Sequence, residues 1–143
     1  MGKLITAIVA LALIIPNLSS AEYNGRKLAE AVSAYLFSVA TIEYMQSSKC
    51  GYLYNTTYSL DQATRDALLH FNNKDRHELT GILRDQKPKI ESEAKSVVDG
   101  ALAAIQEGGI DWKSSCGMLS GTLSSSFTKI RNEYESAISI YSK

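Results

Sequence analysis

The chain has 143 residues, with 15 Lys and Arg against 15 Asp and Glu, 2 Cys, 2 His and 2 Pro. A chain with no net charge lacks the long-range field that draws a protein onto nucleic acid, and it carries no polybasic run for anionic lipid. Few prolines among abundant Ala, Ser, Glu and Lys argue for helix and against a β-sandwich or barrel.

Lys3 supplies a positive start, and Leu4 to Ile15 follows as about a dozen apolar residues, the length of a signal-peptide core. Pro16 and Asn17 break the run, and Ser19 and Ala21 place small residues at −3 and −1 of a cleavage site after Ala21. A membrane-spanning helix needs roughly 20 apolar residues, so this segment is short for an anchor, and no later stretch spans. No Cys follows it to accept a lipid. Residues 1–21 therefore read as a signal peptide and 22–143 as a single helical bundle domain, periplasmic or secreted. Its removal leaves a net charge of about −1.

In an exported chain two cysteines pair, so Cys50 and Cys116 are expected to form a disulfide. Closing so long a loop restrains the unfolded chain by about 4 kcal/mol in the loop-entropy picture.

The first helix is expected from Arg26 to about Ser47, with Leu28, Val32, Tyr35, Val39 and Ile42 on one stripe. A tyrosine-rich connection, Tyr52 to Tyr58, comes next, with Asn55, Thr56 and Thr57 favouring a turn. Ser59 is an N-cap with Gln62 completing a capping box. The second helix turns Leu60, Ala63, Ala67, Leu68 and Phe71 inward and ends at Asn72–Asn73.

The third stripe starts near Asp75 and runs through Leu79, Leu83, Gln86, Ile90, Ala94, Val97, Ala101 and Ile105. Its phase does not slip at Pro88, although proline removes a helical hydrogen bond and collides with the carbonyl of Arg84. Two readings are open there: one long helix kinked at Pro88, which the unbroken phase favours, or two collinear helices. Gly108–Gly109 is a stop, and Asp111 caps the last helix. Cys116, Leu119, Leu123, Phe127, Ile130, Tyr134, Ala137 and Tyr141 form its stripe, with Gly117 and Gly121 near its start as points of close backbone approach.

A disulfide between the far end of the first helix and the near end of the last sets the two side by side and antiparallel. The fold expected is all-α: an up-down bundle of four to five helices with one disulfide joining the first and last.

The chemistry-bearing residues are sparse. His70 and His77 are two turns apart across an interrupting Asn72–Asn73, with Asp66 one turn before His70. The chain has no HExxH, CxxC, CxxCH or GxSxG, so no metal site, haem, cofactor or catalytic residue is assigned; Met45 with His70 or His77 is a haem pairing in principle, and a Met at the end of a stripe is more often core. Ser124–Ser126 read as a solvated face, and Asn55-Thr56-Thr57 matches the N-glycosylation acceptor, which matters only in a eukaryotic source. Gly81, Gly100, Gly117 and Gly121 thin the stripes, a feature a carrier of a small apolar ligand would use to open a cavity.

The tyrosines give the functional expectation. Tyr52, Tyr54 and Tyr58 lie beside Cys50, and Trp112 lies beside Cys116, so the disulfide gathers them at one end of the bundle. Such rings either cap the core or anchor a protein partner. The leading reading is an exported, non-catalytic protein that acts by binding another protein, as an immunity protein or inhibitor does, with Tyr52, Tyr54, Tyr58 and Trp112 as the partner-binding set. A third reading is a self-associating bundle, a homodimer through Leu36 and Phe37 beside the first stripe.

Overall fold

A computed structural model describes residues 23–142; the signal segment expected over residues 1–21 lies outside the described residues. The described residues form four α-helices and no strand: α1 Tyr23–Ser47, α2 Leu60–Leu68, α3 Asn73–Glu107 and α4 Trp112–Tyr141, with a single 3₁₀ turn at Gly51–Leu53. Long-range contacts fix the directions. The Leu60 N–H, opening α2, donates to Glu43 near the end of α1 at 2.9 Å. Tyr44 on α1 donates to Asp99 on α3 at 2.8 Å, and Ser142 after α4 donates to the carbonyl of His70 after α2 at 3.2 Å. The result is an up-down-up-down bundle.

The α1 stripe is buried as its spacing requires, with Tyr35 only half-buried, but the helix is buried on its other faces too. Leu36 and Phe37 are 0% and 1% exposed, so the expected self-association surface does not exist there. The reason is that α1 packs against α2, α3 and α4 together, which leaves almost no face for solvent. A central helix can carry hydroxyls only if they are satisfied locally. The Ser33 hydroxyl donates to the Ala29 carbonyl at 2.8 Å, and the Thr41 hydroxyl donates to the Ser38 carbonyl at 2.7 Å.

Ser59 caps α2 as expected, accepting from the Gln62 N–H at 3.3 Å. The reciprocal half of the capping box is absent: the Gln62 amide donates to Asp66 instead, and Glu43 of α1 takes the N–H of Leu60. α2 ends at Leu68, before the expected stop at Asn72–Asn73, so Phe71 is buried from the connection beyond the helix. Asn72 instead caps α3, accepting from the Asp75 N–H at 2.9 Å while its own amide donates to the Asp75 carboxylate at 2.7 Å. Arg76 then closes the junction by donating to the carbonyls of Leu68, Leu69 and Phe71, groups a short helix end leaves unpaired.

α3 is one continuous helix through Pro88, which resolves the count at four. Pro88 and Arg84 lie on the solvent face, where water can serve the carbonyl that the ring strips of its donor. Beyond Ala94 the buried position is Val98 rather than Val97, which is half-buried against the larger core. Gly109 ends the helix with φ 82°, the left-handed conformation that suits glycine, and its N–H donates to the Gln106 carbonyl at 2.9 Å.

The core has two parts. The larger one joins α1, α2, α3 and the second half of α4 around Leu36, Phe37, Phe71, Leu79 and Phe127. The smaller gathers Met45, Cys50, Val98, Cys116, Leu119 and Leu123 at the disulfide end.

The glycines do not thin the packing. A Cβ at Gly81, Gly100, Gly117 or Gly121 would meet nothing within 4 Å, so these positions neither allow close helix approach nor open a cavity. Gly100→Ala and Gly121→Ala should therefore each raise stability by about 0.5–1 kcal/mol in urea denaturation, since alanine removes backbone entropy at no steric cost. Gly51→Ala should do the reverse, because its Cβ would collide with the carbonyl of Gln46.

Candidate partner-binding surface

Cys50 and Cys116 are joined, with their Cα atoms 5.4 Å apart and 66 positions between them in sequence. Both are buried, at 0% and 2% exposure. The bond ties the chain just past α1 to the beginning of α4. The turn after it is stiffly made: the Cys50 N–H donates to the Ser48 hydroxyl at 3.1 Å, and the Leu53 N–H to the Cys50 carbonyl at 3.1 Å. This turn swings Tyr52 outward.

Across the disulfide, Asp111 caps α4. Its carboxylate accepts from the N–H groups of Lys113 and Ser114 at 3.0 and 3.1 Å and from the Ser114 hydroxyl at 2.7 Å. Those bonds from Ser114, with lesser help from Lys113, hold the carboxyl below its usual range. The cap sets Trp112 at the first helical position, where its ring meets Tyr52 edge-on, centroids 6.1 Å apart at 83°. Tyr52 is 56% and Trp112 45% exposed, and Leu53 and Met118 are exposed as well. The Lys113 ammonium sits 5.8 Å from the Trp112 ring. Of the four rings expected together, Tyr52 and Trp112 meet, and both are exposed.

Tyr54 and Tyr58 turn inward instead. Gln46 on α1 clamps their connection from below, donating to the Thr56 carbonyl and accepting from the Tyr58 N–H at 3.1 Å. Tyr54 packs against both parts of the core, and its buried hydroxyl has no hydrogen-bond partner among the described residues. Tyr58 meets Phe127 edge-on at 5.2 Å. Between this connection and α4 runs a groove of about 420 Å³, floored by Ile42, Tyr58 and Phe127. Its α4 wall is polar and includes Arg131 and Glu135, paired with each other at 2.9 Å.

Two groupings were not visible in the sequence as clusters. An aromatic ladder continues from Tyr58 and Phe127 through Tyr35 to Tyr134 and His70, with Tyr35 and Tyr134 stacked at 4.2 Å and 4°. The signal was there: Tyr35 lies on the α1 stripe and Phe127 and Tyr134 on the α4 stripe, and antiparallel packing brings the stripes together. On the other side Lys95 donates to the Tyr44 hydroxyl at 3.0 Å and to Asp99 at 2.8 Å, while Tyr44 donates to Asp99. Hydrogen bonds from Lys95 and Tyr44 lower the Asp99 pKa, and those to Asp99 and Tyr44 raise that of Lys95. Nothing in the spacing marks Tyr44, which is off the stripe.

The remaining chemistry-bearing residues are dispersed. His77 is exposed on α3, while His70 lies beside Tyr134 at the end of the bundle remote from Met45, which is wholly buried beside Cys50. Among the described residues no group of three or more His, Cys, Asp or Glu is placed to hold a metal ion. No helix among them is long and apolar enough to cross a membrane. Ser124 lines the groove, Ser125 is exposed and Ser126 half-buried. No protein-family model, no curated protein and no solved structure matches this chain.

Burial pushes the Tyr134 phenol up to about 12 from an ordinary value of 10.0, and burial likewise raises Tyr35. The folded state thus holds these protons more tightly than the unfolded chain. The stabilisation is complete below pH about 10 and is lost as pH rises toward about 12. Unfolding free energy should fall across that window by roughly 2 kcal/mol. Tyr134→Phe should make the decline shallower, with Tyr35 and Lys95, also raised, carrying the rest; an unchanged alkaline slope in the variant contradicts the assignment.

Proposed function

We propose that this is an exported, non-catalytic protein that acts by gripping another protein with the aromatic surface at its disulfide end. The observation that carries this reading is the Tyr52–Trp112 pair: two large rings, about half exposed and edge-on to each other, on the chain segments that the buried Cys50–Cys116 disulfide joins. Large apolar rings with a polar handle are the side chains that dominate protein interfaces, and few of them supply most of the binding energy. Holding both rings on a covalently closed turn and a capped helix start lowers the ordering cost of association. Leu53, next to Tyr52 in the chain, is exposed as well.

The disulfide and the lack of a spanning helix among the described residues are compatible with an exported soluble protein. We place its work in the periplasm or the extracellular space, where an immunity protein or an inhibitor needs no chemistry of its own. The carrier reading has less support: the glycines proposed to open its cavity have open space where a side chain would project, and the groove beside the 53–58 connection has a polar wall.

The test is capture of the partner from the native envelope by the disulfide-bonded protein, followed by mass spectrometry and titration of the partner so identified. Tyr52→Ala with Trp112→Ala should weaken binding at least about thirtyfold, the scale of a hot-spot loss of 2 kcal/mol. Urea denaturation should be nearly unchanged, because both rings are exposed. Leu69→Ala with Ile140→Ala, which removes exposed apolar groups elsewhere, should leave binding intact. Undiminished binding by the Tyr52 and Trp112 variant contradicts the reading.

A further inference from the structure

Resting on export but not on the aromatic surface, we propose that Asn55 carries an N-linked glycan attached in a eukaryotic secretory pathway, which selects the extracellular space from the two compartments named above.

Asn55-Thr56-Thr57 has an acceptor amide at its first position and a hydroxyl two residues on, the pair that the transfer reaction reads. Such a triplet is common by chance, so its place in the fold decides whether it can be used. Transfer needs exposed backbone outside a helix, and an amide and a hydroxyl that are not engaged elsewhere. Asn55, Thr56 and Thr57 are all exposed, on the bend between the 3₁₀ turn and the cap of α2. The Asn55 amide and the Thr57 hydroxyl make no hydrogen bond among the described residues. Gln46 ties the segment only through main-chain groups, the Thr56 carbonyl and the Tyr58 N–H, and leaves both reacting side chains in solvent.

The other asparagines give the contrast. Asn24, Asn73 and Asn132 lie within helices, and Asn72 is held by Asp75 as the cap of α3. None of these four has Ser or Thr two places on. The motif thus falls on the one asparagine among the described residues that the fold leaves exposed, outside a helix and unpaired. A second match, Asn17-Leu18-Ser19, lies in the segment read as a signal, which cleavage after Ala21 removes.

The reaction is a group transfer from a lipid-pyrophosphate-linked oligosaccharide. The Asn55 amide nitrogen attacks the anomeric carbon of the donor. A carbon–nitrogen bond forms, the bond from that carbon to the pyrophosphate oxygen breaks, the lipid pyrophosphate leaves and one amide proton is released. No oxidant or reductant takes part. The compartment that performs it also permits the Cys50–Cys116 bond. The bulk and hydration of a glycan at Asn55 would keep protein partners off the groove that Asn55 helps to line.

The test is peptide mapping of the protein purified from its native source, before and after peptide N-glycosidase, which converts a glycosylated asparagine to aspartate and leaves a bare one unchanged. The expected chain begins at Glu22, its tryptic peptide from Cys50 to Arg65 carries sugar mass, and enzyme treatment leaves aspartate at position 55. In cells that secrete the protein, Asn55→Gln and Thr57→Ala should each abolish occupancy, whereas Thr57→Ser, which keeps the hydroxyl, should retain it. Urea denaturation of the unglycosylated variants should match that of the enzymatically deglycosylated protein, because both side chains are exposed. A chain that begins at Glu22 with Asn55 bare overturns the glycan and leaves export standing. Residues 1–21 retained with Asn55 bare overturns both. Sugar mass undiminished in Asn55→Gln overturns the assignment to this residue.

Discussion

The bond between Cys50 and Cys116 is the constraint on which the disulfide end of the molecule depends. The larger part of the core holds the opposite half of the bundle by burial alone, with α1 enclosed and rings from α1 and α4 stacked upon each other. The part at the disulfide end is small, six buried residues of which two are the cysteines themselves. Burying Met45, Val98, Leu119 and Leu123 gains about 6–12 kcal/mol before the entropy of ordering them is subtracted, and closing a loop of 66 positions adds about 4 kcal/mol in the loop-entropy account. The ion pairs do not change the balance: Lys87–Asp61, Lys95–Asp99 and Arg131–Glu135 all have largely exposed side chains, and exposed pairs are worth about 0–1 kcal/mol each.

From that tie the candidate site is built in short steps. The disulfide fixes where the chain leaves α1 and where α4 starts. The 3₁₀ turn and the Asp111 cap then set the directions of Tyr52 and Trp112, and Gln46 sets the height of the connection above the groove. Exposed apolar side chains occur elsewhere, at Leu69 and Ile140, but neither belongs to a ring pair nor sits on a closed turn. The Tyr52–Trp112 pair beside a covalent closure distinguishes the disulfide end, and the proposed recognition role rests on it.

Much of the fold was legible in the residues. The caps at Ser59 and Asp111 and the stop at Gly108–Gly109 are local signals with local causes, and the structure places helix ends at each. The disulfide was readable from two cysteines and an expected compartment. What failed needed three-dimensional knowledge. Leu36 and Phe37 lie beside the α1 stripe, and periodicity cannot say whether a second face is covered; that depends on how many neighbours the helix has. The near-absence of charge along α1, where Lys27, Glu30 and Glu43 flank a long neutral stretch, was the available hint of an all-round buried helix. The glycines misled because a small residue signals close approach and open solvent equally well. Of the four aromatic residues singled out, sequence adjacency to the cysteines placed Tyr52 and Trp112 together. The inward turn of Tyr54 and Tyr58 rests on long-range bonds to Gln46 that no spacing rule reveals.

The central claim is that a covalent tie is required in addition to apolar burial to hold the end of the bundle that carries the aromatic surface. Native-state hydrogen exchange compares the disulfide-bonded protein with a Cys50→Ala, Cys116→Ala variant most directly. The account predicts loss of protection across 44–58 and 112–123, while the amides of 28–40, 79–90 and 127–137 stay protected. Unchanged protection across 44–58, or an equal loss throughout all four helices, contradicts it.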